Sequence, residues 1–269
     1  MIALQGALTM KIRARLPKGF IIFALALPIS LLYLTFCWPS GDEALKIAKR
    51  IDTLYRSKSS YSEVEMEITT PNWTRTLDMR VWTIGTEKTF LRILAPRKDR
   101  GVATLRIGNE MWNYFPRVNK TMKIPPSMMT SSWMGSDFTN DDLVNEFTLV
   151  DDYEFELIRP EGAQDDLFYL QARPKEGVPV VWSSVLIVVR KADLIPVLEK
   201  YLDDNGKLIR TMTFTDIRNF DGRNIPAVME LVPADKKDHR TILRYKNLEF
   251  DRGVDESIMT LRNLRSFNE

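Results

Sequence analysis

The chain has 269 residues, of which 44% are hydrophobic and 28% are charged. This composition is typical of a folded globular protein, and it excludes a disordered chain, a collagen and a multi-span membrane protein. A single cysteine and a single histidine exclude an internal disulfide and a Cys/His zinc cluster. The formal net charge of +2 comes from the basic N-terminal segment and the remainder is slightly acidic, so we expect no nucleic-acid partner.

The N-terminal segment has the pattern of an export signal. Basic residues between Lys11 and Lys18 precede an uncharged, mostly apolar run over residues 20–38, which would form about 28 Å of helix. Cleavage after Cys37 would release a soluble periplasmic protein, whereas an uncleaved segment would anchor it to the inner membrane. Lipidation of Cys37 is a third option, but the bulky Phe36 before it argues against this processing. We therefore predict a signal peptide or membrane anchor at 1–38 and one domain at 39–269.

An amphipathic helix is predicted directly after this segment. Ser40 and Glu43 form a capping box, and apolar residues then recur at three- and four-residue steps up to Tyr55. From Tyr61 the period changes to two, with apolar residues alternating with glutamates as far as Ile68. This alternation indicates a strand with one solvated face.

Turn signals follow at intervals of eight to twelve residues along most of the chain. Short connections join antiparallel neighbours, whereas a parallel crossover needs a dozen or more residues. The later predicted strands cover 153–158, 167–172, 181–189, 195–202, 208–214, 227–232 and 242–250. The sequence thus predicts a mainly β protein with a few helices (α+β), built on one large, curled antiparallel sheet of about a dozen strands.

Residues 125–138 interrupt the strand pattern, and a short helix is predicted after them over Asn140–Phe147. The segment and its flanks are rich in methionine and aromatic side chains, namely Met122, Met128, Met129, Trp133, Met134 and Phe138. Methionine is flexible and polarizable, which suits a lid over a site for flexible hydrocarbon. The alternative is that these side chains are ordinary core and plug one end of the sheet.

Aromatic residues also accumulate on the neighbouring strands. Trp82 lies on one of them. Met111, Trp112 and Tyr114 lie in another strand, which has apolar or aromatic residues at both its odd- and its even-numbered positions. We therefore expect both faces of the Met111–Phe115 strand to be covered, by protein or by ligand.

The sequence contains no recognisable catalytic motif. His239 lies in a charged hairpin tip, and Asp141 and Asp142 are explained by the start of a helix. There is no phosphate loop, nucleophile elbow or metal-spaced histidine pair. We predict no enzyme and no cofactor or metal; a hydrolase using Asp137 or Asp141 is the competing hypothesis.

Four tracts, above all Ser132–Leu143, carry a family resemblance. Together with Thr70–Arg75, Met111–Pro116 and Ile124–Met129, this tract resembles the outer-membrane lipoprotein-sorting protein family of the LolA/LolB-like superfamily. The resemblance implies an open, curved antiparallel β half-barrel of about 11–13 strands with helices closing the concave face. It also implies that acyl chains of lipids or lipoproteins bind in that concavity.

The resulting hypothesis is an exported, non-catalytic protein that binds lipid or lipoprotein acyl chains, for outer-membrane lipoprotein sorting or for lipid transport across the periplasm. The alternative is an accessory protein-binding module of an inner-membrane transporter, with a cavity filled by its own side chains. Arg75 is either a polar group at the cavity or part of a surface cross-strand pair. The predicted cavity and lid residues are Arg75, Trp82, Met111, Trp112, Tyr114, Met122, Met128, Met129, Trp133, Met134 and Phe138.

Overall fold

A computed structural model describes residues 41–145, 149–178 and 180–266. The predicted signal peptide or anchor lies outside these residues. Within the described part of the chain, no helix is both long enough and apolar enough to cross a membrane.

In the described ranges, thirteen antiparallel strands form a single open sheet, which confirms the predicted fold class. The strands are β1 (Ser59–Thr69), β2 (Thr74–Ile84), β3 (Lys88–Ala95), β4 (Ala103–Ile107), β5 (Glu110–Phe115), β6 (Lys120–Lys123), β7 (Tyr153–Ile158), β8 (Leu167–Pro174), β9 (Ser184–Arg190), β10 (Pro196–Leu202), β11 (Leu208–Phe220), β12 (Arg223–Pro233) and β13 (Arg240–Phe250). The sequence pattern missed β6, because four residues are too few to show an alternation.

Two runs of hairpins make up the sheet. Strands β1–β6 and β7–β13 each follow chain order, and the antiparallel pairing of β1 with β13 joins the two runs. The outermost strands are therefore β6 and β7, which are consecutive in the chain. The connection between them, residues 124–152, must cross the sheet from one edge to the other.

Four short α-helices accompany the sheet in the residues that the structure describes. They are α1 (Gly41–Asp52), α2 (Asn140–Asn145), α3 (Leu149–Asp152) and α4 (Leu261–Arg265). Helix α1 confirms the helix predicted after the export segment, and it buries Ala44, Ile47 and Ala48 against one face of the sheet. We call this the inner face.

Each face of the sheet carries its own core. Inward-facing side chains such as Met66, Ile93 and Met111 belong to the larger core, which includes α1. On the outer face, Tyr114 and its neighbours form a smaller core with Leu264 of the C-terminal segment. Both faces of β5 are thus covered, as predicted from its apolar residues at both parities.

Candidate functional site

The segment at residues 125–138 is docked on the inner face of β1–β6. Trp133 is only 1% exposed, and its indole Nε1 donates a hydrogen bond to the Thr104 hydroxyl on β4 at 3.2 Å. A buried indole needs such a partner for its N–H group. Trp133 therefore fixes the segment to the sheet as a plug.

The sequence around Trp133 folds as a tight hairpin. Met134 and Gly135 both have positive φ, and the Ser136 amide donates to the Trp133 carbonyl at 2.9 Å. The Trp133 amide in turn donates to the Phe138 carbonyl at 2.8 Å. Two successive left-handed residues are the mark of a type I′ turn, which explains the glycine of the Trp133–Ser136 tract.

Polar contacts attach this hairpin to the surrounding strands. Arg75 on β2 donates to the Met134 carbonyl, and the Thr241 hydroxyl on β13 donates to the Asp137 carboxylate at 2.8 Å. The Asp137 amide donates back to the Thr241 hydroxyl at 2.9 Å. Asp137, one of the two residues of the hydrolase hypothesis, thus anchors the hairpin to β13.

A cavity of about 170 Å³ lies beside the plug, on the β7–β12 half of the inner face. Its walls come from α1, from the stretch that includes α2 and α3, and from the sheet. Most of the lining side chains are apolar or aromatic, including Ala48, Ile51, Tyr55, Phe138, Leu143, Tyr153, Phe155, Val180, Val181, Trp182, Tyr201, Met212, Phe214 and Met229.

A buried ion pair holds one side of this cavity in place. The Arg210 guanidinium on β11 donates to both carboxylate oxygens of Asp142 on α2, each at 2.6 Å. The guanidinium carbon lies 4.2 Å from the ring centroids of both Trp182 and Tyr201. Burial works against the charged guanidinium, but the hydrogen bonds and charge of Asp142 outweigh it and raise the pKa of Arg210. The pair thus fastens α2 to the sheet and holds two cavity-lining rings against one cation.

Asp142 also caps its own helix. The Thr139 amide and hydroxyl donate to one Asp142 oxygen at 2.7 and 2.9 Å, while the Asp142 amide donates to the Thr139 hydroxyl at 3.1 Å. This is the reciprocal arrangement of a capping box. One carboxylate therefore begins α2 and ties it to β11.

A second buried carboxyl, Glu199 on β10, lines the cavity. It accepts a hydrogen bond from the Tyr201 hydroxyl at 2.5 Å. Burial raises the pKa of Glu199, and burial together with the Glu199 charge raises that of Tyr201. Arg210 donates to Asp142 through Nη1 and Nη2, while its buried Nε has no hydrogen-bond partner within the described part of the chain. Burial of Glu199 favours the neutral acid.

Asp52 at the end of α1 is a third acid on the cavity wall. It forms an ion pair with Arg56 at 2.7 Å. Burial nevertheless raises its pKa to about 6, and the nearby Asp151 charge adds to this rise. Its charge therefore changes in the mildly acidic range.

Of the residues predicted to form the cavity, Phe138 lines it. Met111 and Trp133 are buried in the core of the β1–β6 half of the inner face, which the plug fills. Met122, Met129 and Met134 pack against that core. Met128 is 39% exposed. Arg75 contacts Met134, lies 3.6 Å from Asp99 and stacks over Trp73, so it supports the plug. The methionine-rich segment thus fills its half of the inner face, while the open space lies in the other half.

The structure places Trp82, Trp112 and Tyr114 on the outer face, which corrects their assignment to the cavity. Trp82 is paired with Tyr61 and Phe90, and these outward positions pack against the C-terminal segment. A strand that is apolar at both parities does not reveal which parity faces inward. The inward residues of β1 are clear, and the registers that connect β1 through β2, β3 and β4 to β5 decide the question.

Sequence reasoning missed Arg210 and Glu199 in the cavity region. In β11, Arg210 has the same parity as the inward-facing Met212 and Phe214, and in β10 Glu199 has the parity of Tyr201. A charge at an inward parity is a signal of a buried polar contact. Its partner could not be identified in the same way, because Asp142 lies 68 residues away from Arg210 in the chain.

Comparison with known proteins agrees with this architecture. A family model described as "Uncharacterized protein" matches residues 85–266. The chain belongs to this family. No curated protein matches the chain.

Several solved structures share the fold of this family member. A DUF1329 family protein from Desulfovibrio piger has a TM-score of 0.75 at 23% identity, covering 83% of this chain and 98% of that one. A domain described as an outer membrane lipoprotein-sorting protein, from Vibrio parahaemolyticus, has a TM-score of 0.73 at 20% identity, covering 84% of this chain and 100% of that one. A LolA superfamily protein from Nitrosomonas europaea has a TM-score of 0.69 at 21% identity, covering 82% and 98%. The resemblance to the lipoprotein-sorting family is thereby confirmed at the level of the fold.

Proposed function

We propose that the chain is an exported, non-catalytic protein that binds acyl chains of lipids or lipoproteins in the cavity beside α1. Its role would be outer-membrane lipoprotein sorting or lipid transport across the periplasm. The cavity carries this proposal, because it is lined mainly by apolar side chains while Asp52, Asp142 and Glu199 are bonded to protein partners. The names of two structural neighbours, a lipoprotein-sorting domain and a LolA superfamily protein, support the same role.

Hydrocarbon burial supplies the affinity that such a carrier needs. Each buried methylene contributes about 0.8 kcal/mol, so eight methylenes in the cavity contribute about 6 kcal/mol. The plug at 125–138 need not move for this binding, because Phe138 at its end is the one residue of the plug that lines the cavity. This differs from the sequence-based hypothesis, in which the same segment is a lid.

The plug is also the observation that favours the alternative function. Trp133 and Met111 fill one half of the inner face with the chain's own side chains. If the remaining cavity takes no lipid, an accessory protein-binding module of an inner-membrane transporter becomes the better proposal.

Native mass spectrometry with lipid extraction tests the proposal. Residues 39–269 are produced in a bacterial periplasm and purified without detergent. We expect a near-stoichiometric lipid or acylated peptide. A Val180→Trp substitution, which places an indole in the cavity wall, should abolish it, because the added ring occupies the ligand space.

Val232→Trp is the matched control, because Val232 is 41% exposed on β12 and does not line the cavity. Its bound lipid should equal that of the unsubstituted protein. A mass without ligand, unchanged after incubation with membranes, would contradict the carrier and direct the search to a transporter partner.

A further inference from the structure

Four turns lie side by side at one end of the sheet. In the sheet, eight neighbouring strands follow the order β6, β5, β4, β3, β2, β1, β13 and β12. In such a series of antiparallel strands, successive turns lie at alternate ends of the sheet. The pairs Thr69 with Thr74 and Thr69 with Arg240 place the β1–β2 and β12–β13 turns at the same end. We define the basic end as residues 70–73, 96–101, 116–120 and 234–240.

Positive charge is concentrated at this end. Its exposed cations are Arg97, Lys98, Arg100, Arg117, Lys120, Lys236, Lys237 and Arg240. Among its acids, Asp99 is buried and lies 3.6 Å from Arg75, which leaves Asp235 and Asp238 exposed. At the opposite end, Glu110, Asp221, Asp251 and Glu256 each form an ion pair with a basic side chain. Exposed cations therefore outnumber exposed acids at the basic end, which the near-zero net charge of the whole chain does not reveal.

Two exposed apolar side chains lie among these cations. Trp73 in the β1–β2 turn is 43% exposed, and Val118 in the β5–β6 turn is 69% exposed. The Arg75 guanidinium carbon lies 5.3 Å from the centroid of the Trp73 ring, which holds the ring in place. Tryptophan beside basic side chains suits the boundary between lipid headgroups and acyl chains. A nucleic acid would use the cations but would gain little from Val118.

We propose that the basic end docks on an anionic lipid surface, with Trp73 and Val118 entering the interface and the cations facing the headgroups. This interaction goes beyond the proposed cargo binding and does not depend on it. It has a consequence for the cavity, however, because the pairing of Ala172 with Val185 places the β8–β9 connection at this same end. Val180 and Trp182, which line the cavity, belong to that connection. Docking would bring this wall of the cavity towards the lipid.

Site-specific fluorescence tests the orientation in the full-length chain. Cys37 is replaced by Ser, and one new cysteine, Asn72→Cys at the basic end or Asn109→Cys at the opposite end, is labelled with the dye NBD. Both asparagines are exposed turn residues, so the two labelled proteins form a matched pair. They are mixed with vesicles of phosphatidylcholine alone or with 30% phosphatidylglycerol. Because the N-terminal segment is the same in both, any binding by it affects both proteins equally.

With anionic vesicles we expect a blue-shifted, brighter NBD signal at position 72 and none at position 109. High salt should reverse the shift, because it screens exposed charges. Lys236→Gln with Lys237→Gln should lower vesicle affinity about 25-fold, at about fivefold per lysine near an anionic surface. The same double change at Lys46 and Lys49, exposed lysines on α1, should leave affinity unchanged.

Three results would overturn the proposal. They are an unchanged signal at position 72, an equal shift at position 109, and an equal response to vesicles without phosphatidylglycerol. Displacement of the protein from vesicles by an oligonucleotide at equal charge concentration would assign the surface to nucleic acid instead. None of these results depends on whether the cavity binds an acyl chain.

Discussion

Removing the charge of Asp142 while keeping its shape should strongly destabilise the protein. In the Asp142→Asn variant, the Arg210 guanidinium would stay buried between Trp182 and Tyr201 without its counter-charge, with 4% of its side chain exposed. Breaking a buried pair in this way typically costs 3–5 kcal/mol. The Asp142 side chain is 14% exposed, and asparagine can still accept one hydrogen bond from Arg210. We therefore expect a loss near the lower limit, about 3 kcal/mol.

A second substitution in the same background tests this reasoning. Asp142→Asn with Arg210→Met removes the buried charge altogether, and methionine packs well against aromatic rings. The double variant should therefore be more stable than Asp142→Asn alone, within about 1–2 kcal/mol of the unsubstituted protein. Urea unfolding followed by tryptophan fluorescence measures each free energy of unfolding.

Additive losses in the double variant would refute the argument, because they would mean that an unpaired Arg210 is not the source of the cost. The exposed pair between Arg159 and Asp165 provides the control. Its side chains are 61% and 89% exposed, so Asp165→Asn should leave the unfolding midpoint unchanged.

Four further predictions concern the cavity and the plug. Folded Asp52 titrates at a pKa of about 6 and unfolded Asp52 near 3.8, so the folded state binds more protons between these values and stability should fall as pH rises from 4 to 7. Solvent screening reduces this loss from about 3 to about 1–2 kcal/mol, and urea unfolding of Asp52→Asn should lack it. Burial likewise raises the pKa of Glu199, so stability should fall above the unfolded value of 4.5, and Glu199→Gln should flatten that part of the unfolding profile. Trp133→Phe should lower the free energy of unfolding by about 1 kcal/mol or somewhat more, because the hydrogen bond to Thr104 is lost. Met128→Asp should lower it by less than about 0.5 kcal/mol, because Met128 is exposed. Urea unfolding midpoints measure both effects.

Local patterns were sufficient to predict most elements of the fold. The alternation Val64, Met66, Ile68 identified β1 and its inward face, and Asp203–Gly206 identified a hairpin turn. These signals are local because side-chain direction in a strand depends only on parity. The pairing of β1 with β13 is a different matter, since it joins residues such as Ser60 and Phe250 from opposite ends of the domain. No local pattern specifies such a contact.

The site was harder to predict than the fold for the same reason. The segment with Trp133 was correctly singled out as packing against the sheet, yet its composition could not distinguish a lid from a plug. That distinction depends on partners distant in sequence, such as Thr104 and Thr241. Trp112 was assigned to the inner face because β5 is apolar on both sides, whereas Trp82 shares the outward parity of Asp78 and Arg80 on β2. Phe138 lines the cavity, because it lies where the plug ends and the cavity begins.

The tract from Ser132 to Leu143 therefore has a structural explanation that does not involve a ligand. Trp133 fills the inner face, Asp137 bonds to Thr241, and Asp142 both caps α2 and holds Arg210. Each contact crosses from one run of hairpins to the other or fixes the connection between their edges, so together they stabilise an open sheet that has no closure of its own. A protein built in this way can leave one half of its inner face unfilled without losing the relative position of its strands. The plug thus holds the strands in place around the adjacent cavity, while Phe138 and Leu143 at the end of the same tract contribute to the cavity wall.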